Sequence, residues 1–148
     1  MTDKTLGTLN HLIAVCRDGE EFYGRAADKA EQERLRTVFR EAALLHREIG
    51  AELQPFVKSA GGSPAEGGTL AGKARQVVGT LKATFTSNTD QTLVSELEDA
   101  EGAAIAAFEQ ALKEPIREDA REFIATKLAE LRGTQERIRE LQRLVAAG

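Results

Sequence analysis

Apolar residues recur three and four positions apart along nearly the whole of this chain, and a row with that period can be buried only along one side of an α-helix. Between Thr5 and Ala27 the row runs Leu6, Leu9, Ile13, Cys16, Glu20, Tyr23, Ala27. From Lys29 to Ser59 it runs Leu35, Val38, Ala42, Leu45, Ile49, Phe56, and from Asp90 to Lys113 it runs Val94, Glu98, Glu101, Ile105, Phe108, Leu112. The last segment, Pro115 to Val145, carries Ile124, Lys127, Leu131, Thr134, Ile138, Leu141, Val145. At 1.5 Å of rise per residue the second helix is expected to be roughly 45 Å long.

Local signals place the boundaries. Asp28 and Glu31 read as an N-cap and its capping-box carboxylate opening the second helix, and Asn88 or Thr89 reads as the cap of the third. Pro115 stands where a first helical position is expected, and Pro55 is predicted to kink the last turns of the second helix. Acidic Glu118, Asp119 and Glu122 open the last helix while Arg137, Arg139 and Arg143 close it, signs that complement the helix dipole.

No window alternates apolar and polar residues, and no two-residue hairpin signal separates apolar runs, so no strand is expected. Aromatic residues are 5% of the chain with no Trp, so the core must come from Leu, Ile, Val, Ala and a few Phe, a mix suited to packed helices. Ala60 to Gly68, with its Gly and Pro cluster, breaks the helical pattern. Beyond it Thr69 to Phe85 reads as a short, weak helix. Four long helices with a short connection, a crossover of about 30 residues and another short connection describe a bundle with one crossover. The expected fold is therefore all-α, a ferritin-like four-helix bundle filling residues 1–148 as a single domain.

The net charge is -4, which argues against electrostatic binding to nucleic acid or to an anionic membrane face. No stretch approaches the roughly 20 apolar residues of a membrane span and no secretory leader is visible, so a cytoplasmic protein is expected. The single cysteine, Cys16, cannot form an internal disulfide, and on the core row it reads as an inert buried thiol.

Particular segments carry a family resemblance: LNHLIAVCRDGEEF at Leu9 to Phe22, IGAELQ at Ile49 to Gln54 followed by AGGSP at Ala60 to Pro64, SELEDAEGAAIAAFEQAL at Ser95 to Leu112, and QERIREL at Gln135 to Leu141. With this order and spacing the chain resembles a bacterial family of ferritin-like four-helix bundles of unassigned activity, domain of unknown function 2383. The resemblance implies the bundle fold; the wider ferritin-like superfamily holds di-iron or di-manganese centres in the bundle core, while this family has no settled reaction.

A dimetal bundle needs a Glu from each of two helices and a Glu-x-x-His pair from each of the others. The two histidines, His11 and His46, are preceded at that spacing by Thr8 and Ala43, so the complete set is absent. Relatives that look metal-competent tend to carry His where this chain has Gln135. What remains is a group of polar residues on apolar rows: Glu20, Glu98, Glu101 and His46 as the metal candidates, with Lys127 and Gln135 in the last helix. A buried ammonium needs a counter-charge, and positions counted from Pro115 predict that Lys127 pairs with Glu101. Gly67 to Ala74 nearly matches a phosphate loop but lacks its hydroxyl and its preceding strand, and reads as a crossover loop. No catalytic residue can be assigned. No cofactor is expected, with iron or manganese as the alternative. The first functional expectation is a non-enzymatic bundle acting by association with itself or a helical partner, in stress physiology, because Ala103, Ala104, Ala106 and Ala107 leave little bulk on the third helix. The alternative is a metal-binding or oxidoreductase protein with a reduced carboxylate site.

Overall fold

The 3.6-residue period is realised as four helices in a computed structural model that describes residues 3–66 and 89–147: α1 (Thr5–Lys29), α2 (Glu33–Ser59), α3 (Thr89–Ala111) and α4 (Glu118–Ala147). No strand occurs among the described residues. The expected weak helix from Thr69 to Phe85 and the loop from Gly67 to Ala74 lie outside them.

The helix ends correct two expectations. Asp28 belongs to the last turns of α1, which runs to Lys29, so it is a turn too early to cap α2; Gln32 holds the N-cap position and makes no side-chain cap. One amide expected to bond within that capping box, Glu31 N–H, instead finds a carboxylate from another helix. Asp90, in the first turn of α3, accepts from Glu31 N–H at 2.8 Å and Gln32 N–H at 3.1 Å, satisfying donors that a helix start leaves without internal partners. Pro115 does not open α4, which begins at Glu118; its carbonyl accepts from Lys4 N–H at 3.0 Å and so ties the chain's beginning to the α3–α4 turn. Pro55 lies inside α2, which continues to Ser59. There Gly61, at φ 88°, closes the helix: its N–H bonds to the Lys58 carbonyl while Gly62 N–H reaches back to Val57, a Schellman stop that needs the left-handed backbone glycine tolerates.

Each helix packs on two others. α1 lies most extensively against α2 and less against α3, while α4 lies against α3 and α2. The interior is divided. One apolar cluster gathers Leu9, Ile13, Cys16, Leu53, Val57, Phe108, Ile124 and Leu131; the other gathers Tyr23, Ala27, Leu35, Phe39, Val94, Leu97, Ile138 and Leu141. Between them in sequence on α2, α3 and α4 stand buried His46, Glu101 and Thr134. The apolar rows of α2, α3 and α4 are thus each interrupted by one buried polar residue, and the polar layer they form separates the two apolar clusters.

Candidate functional site

Glu101 occupies the row of Leu97, Ala104 and Phe108 on α3, which turns its carboxylate into the bundle, where it is 1% exposed. Tyr23 on α1 donates its hydroxyl to Glu101 Oε2. His46 on α2 places Nε2 3.3 Å from the same oxygen, and its Nδ1 is 2.8 Å from the Ala42 carbonyl one turn earlier. Because that carbonyl can only accept, Nδ1 carries a proton and Nε2 is the ring atom that faces the carboxylate. The His46 and Tyr23 rings lie 5.1 Å apart at 43°. Room for the imidazole comes from Gly19: a Cβ at that position would stand 2.3 Å from His46 Cδ2.

The electrostatics follow from burial and from Glu101. Burial alone would pull His46 toward its neutral form, but the carboxylate's hydrogen bond and charge, with smaller help from the Ala42 carbonyl and Glu20, raise its pKa above the usual histidine value. Burial and the same carboxylate hold the Tyr23 hydroxyl protonated far above its ordinary range. The Cys16 thiol is pushed up to about 12, chiefly by burial and secondarily by Glu101, so it is not a nucleophile at neutral pH. Glu101 Oε1 is buried without a hydrogen-bond partner among the described residues, and the one polar neighbour of His46 Nε2 among them is Glu101 Oε2, at the long distance of 3.3 Å. Glu101, His46 and Tyr23 line a cavity of about 200 Å³ between α1 and α3.

The other sequence candidates lie elsewhere. Glu98 sits one residue off the Leu97–Glu101 row and is drawn to the bundle's edge, where it accepts from Arg139 Nε at 2.9 Å. Glu20 is half-buried and acts on His46 through its charge alone. The expected Lys127–Glu101 pair is replaced: the Lys127 ammonium lies 3.5 Å from Glu52 and 3.2 Å from Glu130, 5.3 Å from the Phe123 ring centroid. Counting from Pro115 misplaced it, because α4 starts at Glu118 and Lys127 stands on the edge that meets α2 rather than α3. Gln135 is half-buried beside Gly102 of α3.

A dimetal centre does not fit these residues. Glu101 and His46 converge, but among the described residues no group of three or more His, Cys, Asp or Glu is placed to hold a metal ion, and α4 brings Thr134 to the polar layer where a ligand would be needed. Two members of the cluster escaped the sequence reading as functional residues. Tyr23 was legible as a core-row residue, and a phenol on such a row calls for a buried acceptor; Gly19 in mid-helix signalled a close approach.

Fold and cluster together define an all-α four-helix bundle with a phenol, a carboxylate and an imidazole joined across three helices at mid-height. A model of a domain of unknown function (DUF2383) matches residues 4–114, and the chain belongs to that family. The match takes in α1, α2 and α3, and with them Tyr23, His46 and Glu101, while α4 lies beyond it. No curated protein matches the chain.

Proposed function

We propose that this chain is a non-enzymatic, ferritin-like bundle that acts by associating with a second copy of itself through the groove between α1 and α3, in the cytoplasm and in a stress-related setting. The observation that carries the reading is the groove's lining. It has a volume of about 710 Å³ and its walls include Gly7 and Thr8 of α1 and Ala103, Ala106 and Ala107 of α3, with Ala103 and Ala106 exposed. Surface helix faces ordinarily carry long charged side chains whose stems cover apolar surface; here Lys4, His11, Gln110 and Glu114 also line the groove, and the stretch at Gly7, Thr8, Ala103, Ala106 and Ala107 is short-sided, so another helix can come close there. A twofold pairing of like surfaces is the commonest closed arrangement for such a contact. The stress setting rests on the family resemblance and the cytoplasmic setting on composition.

The test is light scattering on the purified chain over a wide range of concentration, with Ala106→Glu as the variant. Wild type is expected to dimerise and Ala106→Glu, which sets like charges across the twofold, to dissociate at least tenfold more readily. A wild type that stays monomeric at every concentration sinks the proposal. One observation favours the metal-binding or oxidoreductase reading instead, the meeting of Glu101 with His46. Elemental analysis after expression with added iron or manganese decides it: stoichiometric metal lost in Glu101→Gln supports that reading, and metal at trace level removes it.

A further inference from the structure

α2 packs on α1 and α4, and the side opposite its buried row carries Arg40, Leu44, Arg47, Ala51 and Lys58, all exposed. Spacings of three, four and seven keep these residues on one strip of the helix, roughly 27 Å from Arg40 to Lys58 at 1.5 Å per residue. Leu44 is 50% exposed, more than any other large apolar side chain among the described residues. Carboxylates on the same helix are engaged elsewhere: Glu33 by Arg36, Glu41 by Arg137 of α4, and Glu52 by Lys127 of α4. Arg40 acts on Glu33 through its charge alone. Among the described residues no carboxylate lies within 4 Å of Arg40, Arg47 or Lys58. In a chain of net charge -4, three unpaired cations thus surround an exposed leucine.

Charge decides what can cover this strip. A second copy laid strip to strip would set Arg40 and Arg47 against like charge, which is costly. Residues 67–88 of this chain include Lys73, Arg75 and Lys82 and no Asp or Glu, so they do not complement it. A wide anionic surface, a bilayer or a nucleic acid, would also meet Glu41, Glu48 and Glu52, which run in a row along the edge toward α4. A single helix, about 10 Å across, can lie on the strip without covering that row. We infer that the outer face of α2 docks an acidic amphipathic helix of another protein. Its apolar row lies against Leu44 and Ala51, and carboxylates on either side reach Arg40 and Arg47, whose guanidinium groups accept a carboxylate bidentately. The groove proposed for self-association is lined from α1 and α3 and takes no residue of α2, so the two surfaces can be occupied together and this one stands whether or not the chain dimerises.

The experiment is an amide NMR titration of the full chain with an alanine-based helical peptide whose central leucine is flanked by glutamates three and four positions away on each side. The control is the same peptide with glutamine for glutamate. Saturable shifts at Arg40, Leu44 and Arg47 are expected with the glutamate peptide, and they should weaken as salt is raised. Arg40→Gln combined with Arg47→Gln is expected to weaken binding at least tenfold, and Leu44→Gln several-fold. Arg40→Glu combined with Arg47→Glu is expected to reject the glutamate peptide and take up one with lysine in its place; the glutamine pair decides the matter if that variant does not fold. Running the titration in Ala106→Glu as well separates the result from self-association. Absence of saturable shifts on α2, equal binding of the glutamine peptide, or an affinity that the double glutamine variant leaves unchanged overturns the inference. Phosphatidylserine vesicles or a DNA duplex binding the strip in preference to the peptide would overturn the choice of partner.

Discussion

With Nδ1 committed to the Ala42 carbonyl, a second proton on His46 has one place to go, Nε2, where it faces Glu101 Oε2. The folded state therefore holds that proton more tightly than the unfolded chain, whose histidine titrates near 6.5. The sign follows: a raised folded pKa contributes stability that is fully present below about pH 6.5 and is lost as the pH climbs through the higher folded value. Urea midpoints of wild type and His46→Gln, compared across that window, are expected to differ most on the acid side and to converge toward alkaline pH. A difference that is flat or grows with pH would show that the folded imidazole is neutral. Lys127 presents the opposite case, an ammonium between half-exposed Glu52 and Glu130 at the bundle's edge. Such pairs contribute about 0–1 kcal/mol, so Lys127→Met, which keeps the packing on Phe123, is expected to shift stability by less than about 1 kcal/mol. Glu101→Ala, which strips partners from two buried side chains, is expected to cost on the order of 3–5 kcal/mol. Chemical denaturation of the two variants side by side is the check.

At the scale of the helices, two glycines of opposite consequence show what the packing demands. Both sit inside helices, where glycine costs up to about 1 kcal/mol against alanine. Gly133 on α4 has nothing within 4 Å of a built Cβ, so Gly133→Ala is expected to stabilise the fold by about 0.5–1 kcal/mol. Gly19 has His46 Cδ2 at 2.3 Å, and Gly19→Ala is expected to destabilise by about 1–3 kcal/mol through overpacking, with the Tyr23–Glu101–His46 contacts disturbed. Thermal unfolding distinguishes them by sign; a stabilising Gly19→Ala would mean that α1 and α2 move apart more easily than their close packing implies. A helix start can also be tied down by a distant helix: Asp90 of α3 accepts from the Glu31 and Gln32 amides just before α2, from the other side of the crossover.

For the molecule as a whole, the polar layer of His46, Glu101 and Thr134 separates two apolar clusters. Substitutions on its two sides share no partners and should act independently. Ile124→Val in one cluster and Ile138→Val in the other, both fully buried on α4, are each expected to cost about 0.5–1.5 kcal/mol. In combination they should add within about 0.5 kcal/mol, as sites more than 10 Å apart do. Equilibrium denaturation of the two single variants and the double one measures this. A coupling well beyond that value would mean that the two clusters behave as one core through the polar layer.

Four long helices were legible in the sequence because burial imposes a 3.6-residue period that local composition must obey whatever the helix later packs against. Glu101 and His46 were visible for the same reason, as polar interruptions of an apolar row. Their partners were not. Whether Glu101 meets Lys127 or Tyr23, whether Glu98 points inward or to Arg139, and whether Asp28 or Asp90 caps α2 depend on rotations of a helix by one residue, about 100°, and on where a turn ends. A one-residue step along a stripe leaves the periodic pattern almost unchanged, yet it carries a side chain from the core to the rim. Only the packing of all four helices sets that rotation, because each buried face must satisfy two neighbours at once.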